Sequence, residues 1–136
     1  MILVADASAL VAELLRERGR VLVTRADLRI VVAADQWDET QHELARRLGI
    51  IVEHGRLTAD SAQALRDSIQ DLIDVRAIEV IPRAFYAHLE SVARRRVPRD
   101  PNDWAPVALA LALGAGILTG DQDFLGCGCP TWTVET

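Results

Sequence analysis

The sequence predicts one α/β domain in three layers, with a central, mostly parallel sheet of four to five strands flanked by helices. Three observations predict it. Short apolar runs recur along the chain, the first at residues 1–5, and a continuous run of that length suits a strand buried on both faces. Segments with apolar residues at helical spacing alternate with these runs, which is the order of βαβ units. The 136 residues, half of them apolar, are enough for one hydrophobic core and too few for two. We therefore expect residues 1–136 to form a single domain.

The elements follow in order. After the strand at 1–5, Ala7, Leu10, Val11, Leu14 and Leu15 repeat at helical spacing until Arg18-Gly19, where glycine is expected to end the helix. Residues 21–24 read equally as a short strand or a connector, and residues 30–33 read as a strand. Asp35 opens a helix with Trp37, Leu44 and Leu48 on one face. Thr58 is the expected N-cap of the next helix, whose buried side holds Ala62, Leu65, Ile69 and Leu72. A strand at 77–81 stops at Pro82. A helix over about 83–95, with Phe85, Leu89 and Val92 as its stripe, and another over about 104–113 ending at Gly114 complete the helices. Residues 116–119 form a short strand and 131–134 an edge strand.

Composition excludes several chemistries. All 15 basic residues are arginine, so there is no Schiff-base lysine, no P-loop lysine and no lysine general base. Cys127 and Cys129 are too close for an unstrained disulfide, and His42, His54 and His88 have no metal-ligand spacing. Those two thiols are expected to be structural. No apolar run approaches the roughly 18 residues of a membrane span, and Met-Ile-Leu-Val-Ala-Asp lacks a signal peptide's basic flank. The expected location is the cytoplasm, away from any membrane. The formal net charge of −5 speaks against a nucleic-acid partner, whereas guanidinium groups suit phosphate contact.

The acids are placed unevenly. In open parallel sheets ligands bind beyond the C-terminal ends of the strands. Asp6 follows the first strand, Glu39 and Glu43 follow the second, and Asp121 and Asp123 follow the strand at 116–119. Asp100 and Asp103 stand just before the helix that feeds that strand. Each has a simpler reading alone: Asp6 and Asp103 as helix caps, Asp121 as a turn residue, Glu39 and Glu43 as a solvated face. Together they repel one another unless a cation intervenes, and a hard divalent ion is the remedy. Without lysine, a cysteine or histidine nucleophile, or a glycine-rich phosphate loop, metal-assisted hydrolysis is the chemistry left.

At this point the chain resembles the PIN-domain ribonucleases, such as the VapC-type toxins of bacterial toxin–antitoxin pairs. The resemblance spans essentially the whole chain. It rests on Val4-Ala5-Asp6-Ala7-Ser8, on Trp37-Asp38-Glu39, on Arg99-Asp100-Pro101-Asn102-Asp103-Trp104, and on Leu118-Thr119-Gly120-Asp121-Gln122-Asp123-Phe124. It implies a PIN-like fold and an acidic quartet of Asp6, Glu39, Asp103 and Asp121 around Mg²⁺ or Mn²⁺. Asp6, Asp103, Asp121 and Asp123 would be the metal ligands, and Ser8 would orient Asp6. Glu43 remains an alternative to Glu39, as Asp100 does to Asp103. The dense basic run of Arg94, Arg95, Arg96 and Arg99 is either the RNA contact or a solvated helix end. The implied activity is a Mg²⁺-dependent endoribonuclease that leaves a 5′-phosphate and a 3′-hydroxyl. The implied partners are an RNA substrate, a cognate antitoxin and a second copy of the chain. A PIN-fold interaction module without nuclease activity, or a phosphohydrolase of small substrates, would be the alternative. A haloacid-dehalogenase mechanism needs a second Asp two residues after the first, and position 8 is serine.

Overall fold

The structure, a computed structural model, describes residues 1–120 and 124–133. Its elements run β1 (Ile2–Ala5), α1 (Ala7–Leu14), α2 (Glu17–Leu22), β2 (Arg29–Ala33), α3 (Ala34–Glu53), α4 (Ala59–Asp74), β3 (Ile78–Ile81), α5 (Glu90–Arg96), α6 (Trp104–Leu113), β4 (Gly116–Leu118) and β5 (Thr131–Trp132). Among the described residues the strands form one five-stranded sheet of order β3-β2-β1-β4-β5. Every pairing in it is parallel.

β1 is central, with Leu3 opposite both Ile30 and Gly116, which is why its sequence is an unbroken apolar run. Alternate residues feed two cores. Leu3 and Ala5 pack with Ile30, Val32 and Leu118 against the layer holding α1, α3 and α4. Val4 packs with Val31 and Ile117 against α6 and the segment before it. α6 is apolar nearly all round and its first seven residues are all buried, as expected of a helix enclosed by the fold. Gly114, at φ 62°, ends it in the left-handed conformation that glycine adopts without strain.

Two expectations need correction, and one reading left open is decided. The first helix does not run on to Gly19: it ends at Leu14, and a second helix begins at Glu17 with Gly19 inside it. A Cβ at Gly19 would overlap the Glu13 carbonyl oxygen, so the glycine is there for close packing between the two helices rather than as a stop. Residues 21–24 are not a strand, because α2 closes at Leu22 and a turn follows. The expected helix at 83–95 opens instead as two 3₁₀ turns, Arg83–Phe85 and Ala87–Leu89, before α5. The tighter winding changes which side chain faces inward. Phe85 is 47% exposed, while Tyr86 is fully buried against Trp104 with ring centroids 5.7 Å apart. The far end of the expected edge strand, Val134, lies outside the described residues.

Candidate functional site

The chain builds β1, β2 and β3 outward in one direction, then returns to lay β4 on the other side of β1. A crevice therefore opens beyond the C-terminal ends of β1 and β4, where neighbouring connections leave in opposite directions. Asp6 and Thr119 are the residues that leave those two strand ends. The Thr119 hydroxyl donates to Asp6 Oδ2 at 2.7 Å, and the Asp6 backbone N–H donates to the Leu118 carbonyl at 3.1 Å.

Asp6 is 4% exposed and held from several sides. As the N-cap of α1 it accepts the Ala9 N–H on Oδ1 at 2.9 Å, so the capping reading is correct as far as it goes. Ser8 Oγ lies 3.0 and 3.1 Å from its two oxygens, the orienting contact expected of that hydroxyl. These contacts fix the carboxylate in one orientation rather than leaving it free to swing.

Gln36 ties the remaining pieces to Asp6. It is buried on α3, where its Oε1 accepts the Ala7 N–H at 2.7 Å. Its Nε2 donates to the Asn102 carbonyl at 3.2 Å and reaches Glu39 Oε2 at 3.4 Å. One amide thereby links the start of α1, the first turns of α3 and the loop that delivers Asp103. Asp103 is buried at the N-cap position of α6, where its side chain makes no capping hydrogen bond; the simple capping reading does not hold there. Asp100 shapes the same loop by accepting the Asn102 N–H on its side chain at 2.8 Å.

Glu39 stands at the rim of this assembly. Its carboxyl is pushed above the usual range by desolvation first, and then by the negative charges of Asp100, Asp6 and Glu43. Glu43 is in a different state. It accepts from Arg46 at 2.6 and 3.0 Å and from Arg47 at 3.0 Å, and these hydrogen bonds lower its carboxyl to about 2.

The basic run divides. Arg94 pairs with Glu90 at 3.0 Å, donates to the Pro101 carbonyl and covers the Trp104 ring at 5.4 Å. Arg96 donates to the Cys127 carbonyl at 3.0 Å. Arg95 and Arg99 are exposed. Cys127 is buried and Cys129 half-buried, both free thiols, and burial with the neighbouring Cys127 pushes Cys129 up to about 11.

Asp121 and Asp123 lie outside the described residues. Among the described residues no three His, Cys, Asp or Glu side chains are grouped to hold a metal ion. Asp6 and Glu39 offer carboxylate oxygens at the crevice, the kind a hard divalent ion prefers. The Glu39 carboxyl is raised by burial first and by Asp100, Asp6 and Glu43 after it, and a cation would offset the second of these causes.

A family model for the PIN domain matches residues 4–136. The chain belongs to the PIN-domain family. Two solved structures share the fold. PAE2754 from Pyrobaculum aerophilum is 20% identical, with a TM-score of 0.65 over 99% of this chain and 85% of that one. FitAcB from Neisseria gonorrhoeae is 19% identical, with a TM-score of 0.55 over 97% of this chain and 96% of that one. No curated protein sequence matches. No helix among the described residues of this PIN domain is long and apolar enough to cross a membrane.

Sequence reasoning passed over Gln36. A signal existed: Gln36 and Thr40 are polar residues on the buried face that also holds Trp37, Leu44 and Leu48, and a buried polar group needs partners. Thr119 was visible only as a letter in a motif. Its contact with Asp6 spans 113 positions of chain.

Proposed function

We propose that this PIN domain is a Mg²⁺- or Mn²⁺-dependent endoribonuclease and the toxin of a type II toxin–antitoxin module. The observation that supports it best is the meeting of Asp6 and Thr119 across the strand ends beside Glu39, whose carboxyl is raised by burial and by neighbouring acids. Asp6, Asp103 and Asp121 would hold the ion, with Asp123 beside them and Glu39 completing the acidic set. When bound, the ion would lower the pKa of a water and offset charge on the phosphoryl oxygens. The chain's own part is positional. Ser8, the Ala9 N–H and Thr119 hold Asp6 in one orientation, and Gln36 holds Glu39 and the Asp103 loop against it. The Glu39 carboxyl, raised by burial and nearby acids, would be a suitable partner for a proton at this site. An RNA substrate, a cognate antitoxin and a second copy of the chain are the partners we propose for it.

The test is cleavage of a single-stranded RNA by the purified chain with Mg²⁺ and with excess EDTA. Cleavage should need the metal, and Asp6→Asn should lower the rate by at least about a hundredfold, since the variant keeps the cap but loses the charge. Equal rates for Asp6→Asn and wild type would remove the catalytic assignment, and full activity in EDTA would remove the metal. A chain that binds an antitoxin but cuts nothing under any condition would be an interaction module instead.

A further inference from the structure

The loop that delivers Asp103 presents three successive backbone carbonyls, and each has a different donor. The Asp100 carbonyl accepts the Asp103 N–H at 3.2 Å, and the Asn102 carbonyl accepts Gln36 Nε2 at 3.2 Å. Between them, the Pro101 carbonyl accepts Arg94 Nη1 at 3.1 Å. Gln36 reaches the loop from α3 and Arg94 from α5, so two separate elements hold it.

Arg94 is itself aimed. Its Nε donates to Glu90 Oε2 at 3.0 Å, one turn earlier on α5. Its guanidinium lies over the ring of Trp104, 5.4 Å from the centroid. Trp104 is the buried first residue of α6, directly after Asp103. Arg83 also lies over that ring at 5.1 Å, donates to Glu90 Oε1 at 3.1 Å and pairs with Asp35 Oδ2 at 3.4 Å. Asp35 is in the first turn of α3, the helix that carries Gln36 and Glu39. Alternating charges therefore run from the start of α3 through Arg83, Glu90 and Arg94 to the Asp103 loop, and they join the two segments that Gln36 joins directly.

The two cations and two anions of this chain balance, which leaves no surplus charge for a phosphate. Exposed pairs are each weak. Here they set the direction of a planar fork whose other contacts, to a carbonyl and a ring, act on the loop and on the start of α6. The point charge of a lysine could make only one of those contacts at a time.

We propose that Arg94 is a positioning residue for the metal-binding acids: through the Pro101 carbonyl and the Trp104 ring it fixes where Asp103 stands for the ion, and it does not contact RNA. The proposal rests on the metal-dependent function above and adds a residue that tunes the affinity of the site.

The experiment is a Mn²⁺ titration of the full chain, followed by the EPR signal of the free ion, without RNA and at a temperature where every variant is folded. Arg94→Ala should weaken Mn²⁺ binding about tenfold, the lower end of what an outer partner of a metal ligand contributes. The sign is diagnostic, because removing a positive charge near a cation would by itself tighten binding. Arg94→Lys keeps the charge and should be nearly as weak as Arg94→Ala. Arg95→Ala removes a charge from the same helix and should not weaken binding. Arg94→Gln, which keeps much of the stem, replaces Arg94→Ala if the latter unfolds, and should show the same weakening. Unchanged or tighter Mn²⁺ binding by these Arg94 variants would overturn the proposal even if Tm fell, and would leave the metal-dependent function standing. The second arm is an anisotropy titration of a fluorescein-labelled single-stranded RNA in EDTA. Arg94→Ala should leave its affinity and salt dependence unchanged. Weaker RNA binding, with the slope of log K against log salt reduced by roughly 0.7, would make Arg94 a phosphate contact and overturn the proposal. If the wild-type chain binds no Mn²⁺, the metal-dependent function fails and this proposal falls with it.

Discussion

Gln36 does at the residue scale what no single carboxylate could. It satisfies a buried backbone N–H at Ala7 and a carbonyl at Asn102 that lie on separate elements. Removing its amide leaves those groups without their partner, at a cost of about 1–3 kcal/mol. Gln36→Ala should therefore lower stability by that amount in a urea titration. It should also reduce RNA cleavage about a hundredfold, because the Asp103 loop would no longer be held against Asp6. Gln36→Glu keeps an acceptor for Ala7 but cannot donate to Asn102, and adds negative charge beside Glu39. It should be better folded than Gln36→Ala and no more active. If both variants cleave at the wild-type rate, Gln36 has no part in positioning the site.

At the scale of elements, the break between α1 and α2 shows a local rule overridden by packing. Glycine after a helical pattern usually marks a stop, and Gly19 was expected to be one. It lies instead inside α2, pressed against the Glu13 backbone. Gly→Ala in an open helix gains up to about 1 kcal/mol, whereas here an added Cβ must displace backbone, which costs about 1–3 kcal/mol. Gly19→Ala should lower Tm by roughly 5–15 °C, and a rise would show that α1 and α2 are less tightly joined than the structure has them. The 3₁₀ turns before α5 carry the same lesson. Period alone selected Phe85 for the core, but the tighter turns bury Tyr86, whose hydroxyl then accepts the Asp35 N–H at 3.4 Å.

For the whole molecule, the decisive feature is the strand order. By placing β4 beside β1 rather than beyond β3, it brings Thr119 onto Asp6 at one end of the sheet. A divalent ion bound there would favour the folded state by mass action, about 2.7 kcal/mol at a hundred times its Kd. Adding Mn²⁺ should therefore raise Tm in wild type and have little effect on Asp6→Asn. An equal rise in both would place the ion elsewhere. The net charge of −5 is then a poor guide to partners, because charge is distributed locally: burial and other acids surround Glu39, and two guanidinium groups surround Glu43.

What the sequence determined by itself was the material of the fold and of the site. Apolar runs and helical spacing yield the α/β class and the parallel strands, because periodicity reflects burial directly. The position of Asp6, Glu39 and Asp103 at strand and helix ends follows from the same pattern. Tertiary structure decided which groups meet. Glu39 and Glu43, one turn apart on α3, have opposite electrostatic surroundings: desolvation and other acids for one, two guanidinium groups for the other. The partnership of Thr119 with Asp6, and of Gln36 with Ala7 and Asn102, was decided in the same way. These contacts depend on the register of strands and the angle of helices, which are set by packing across the sheet and leave no local trace in the order of residues.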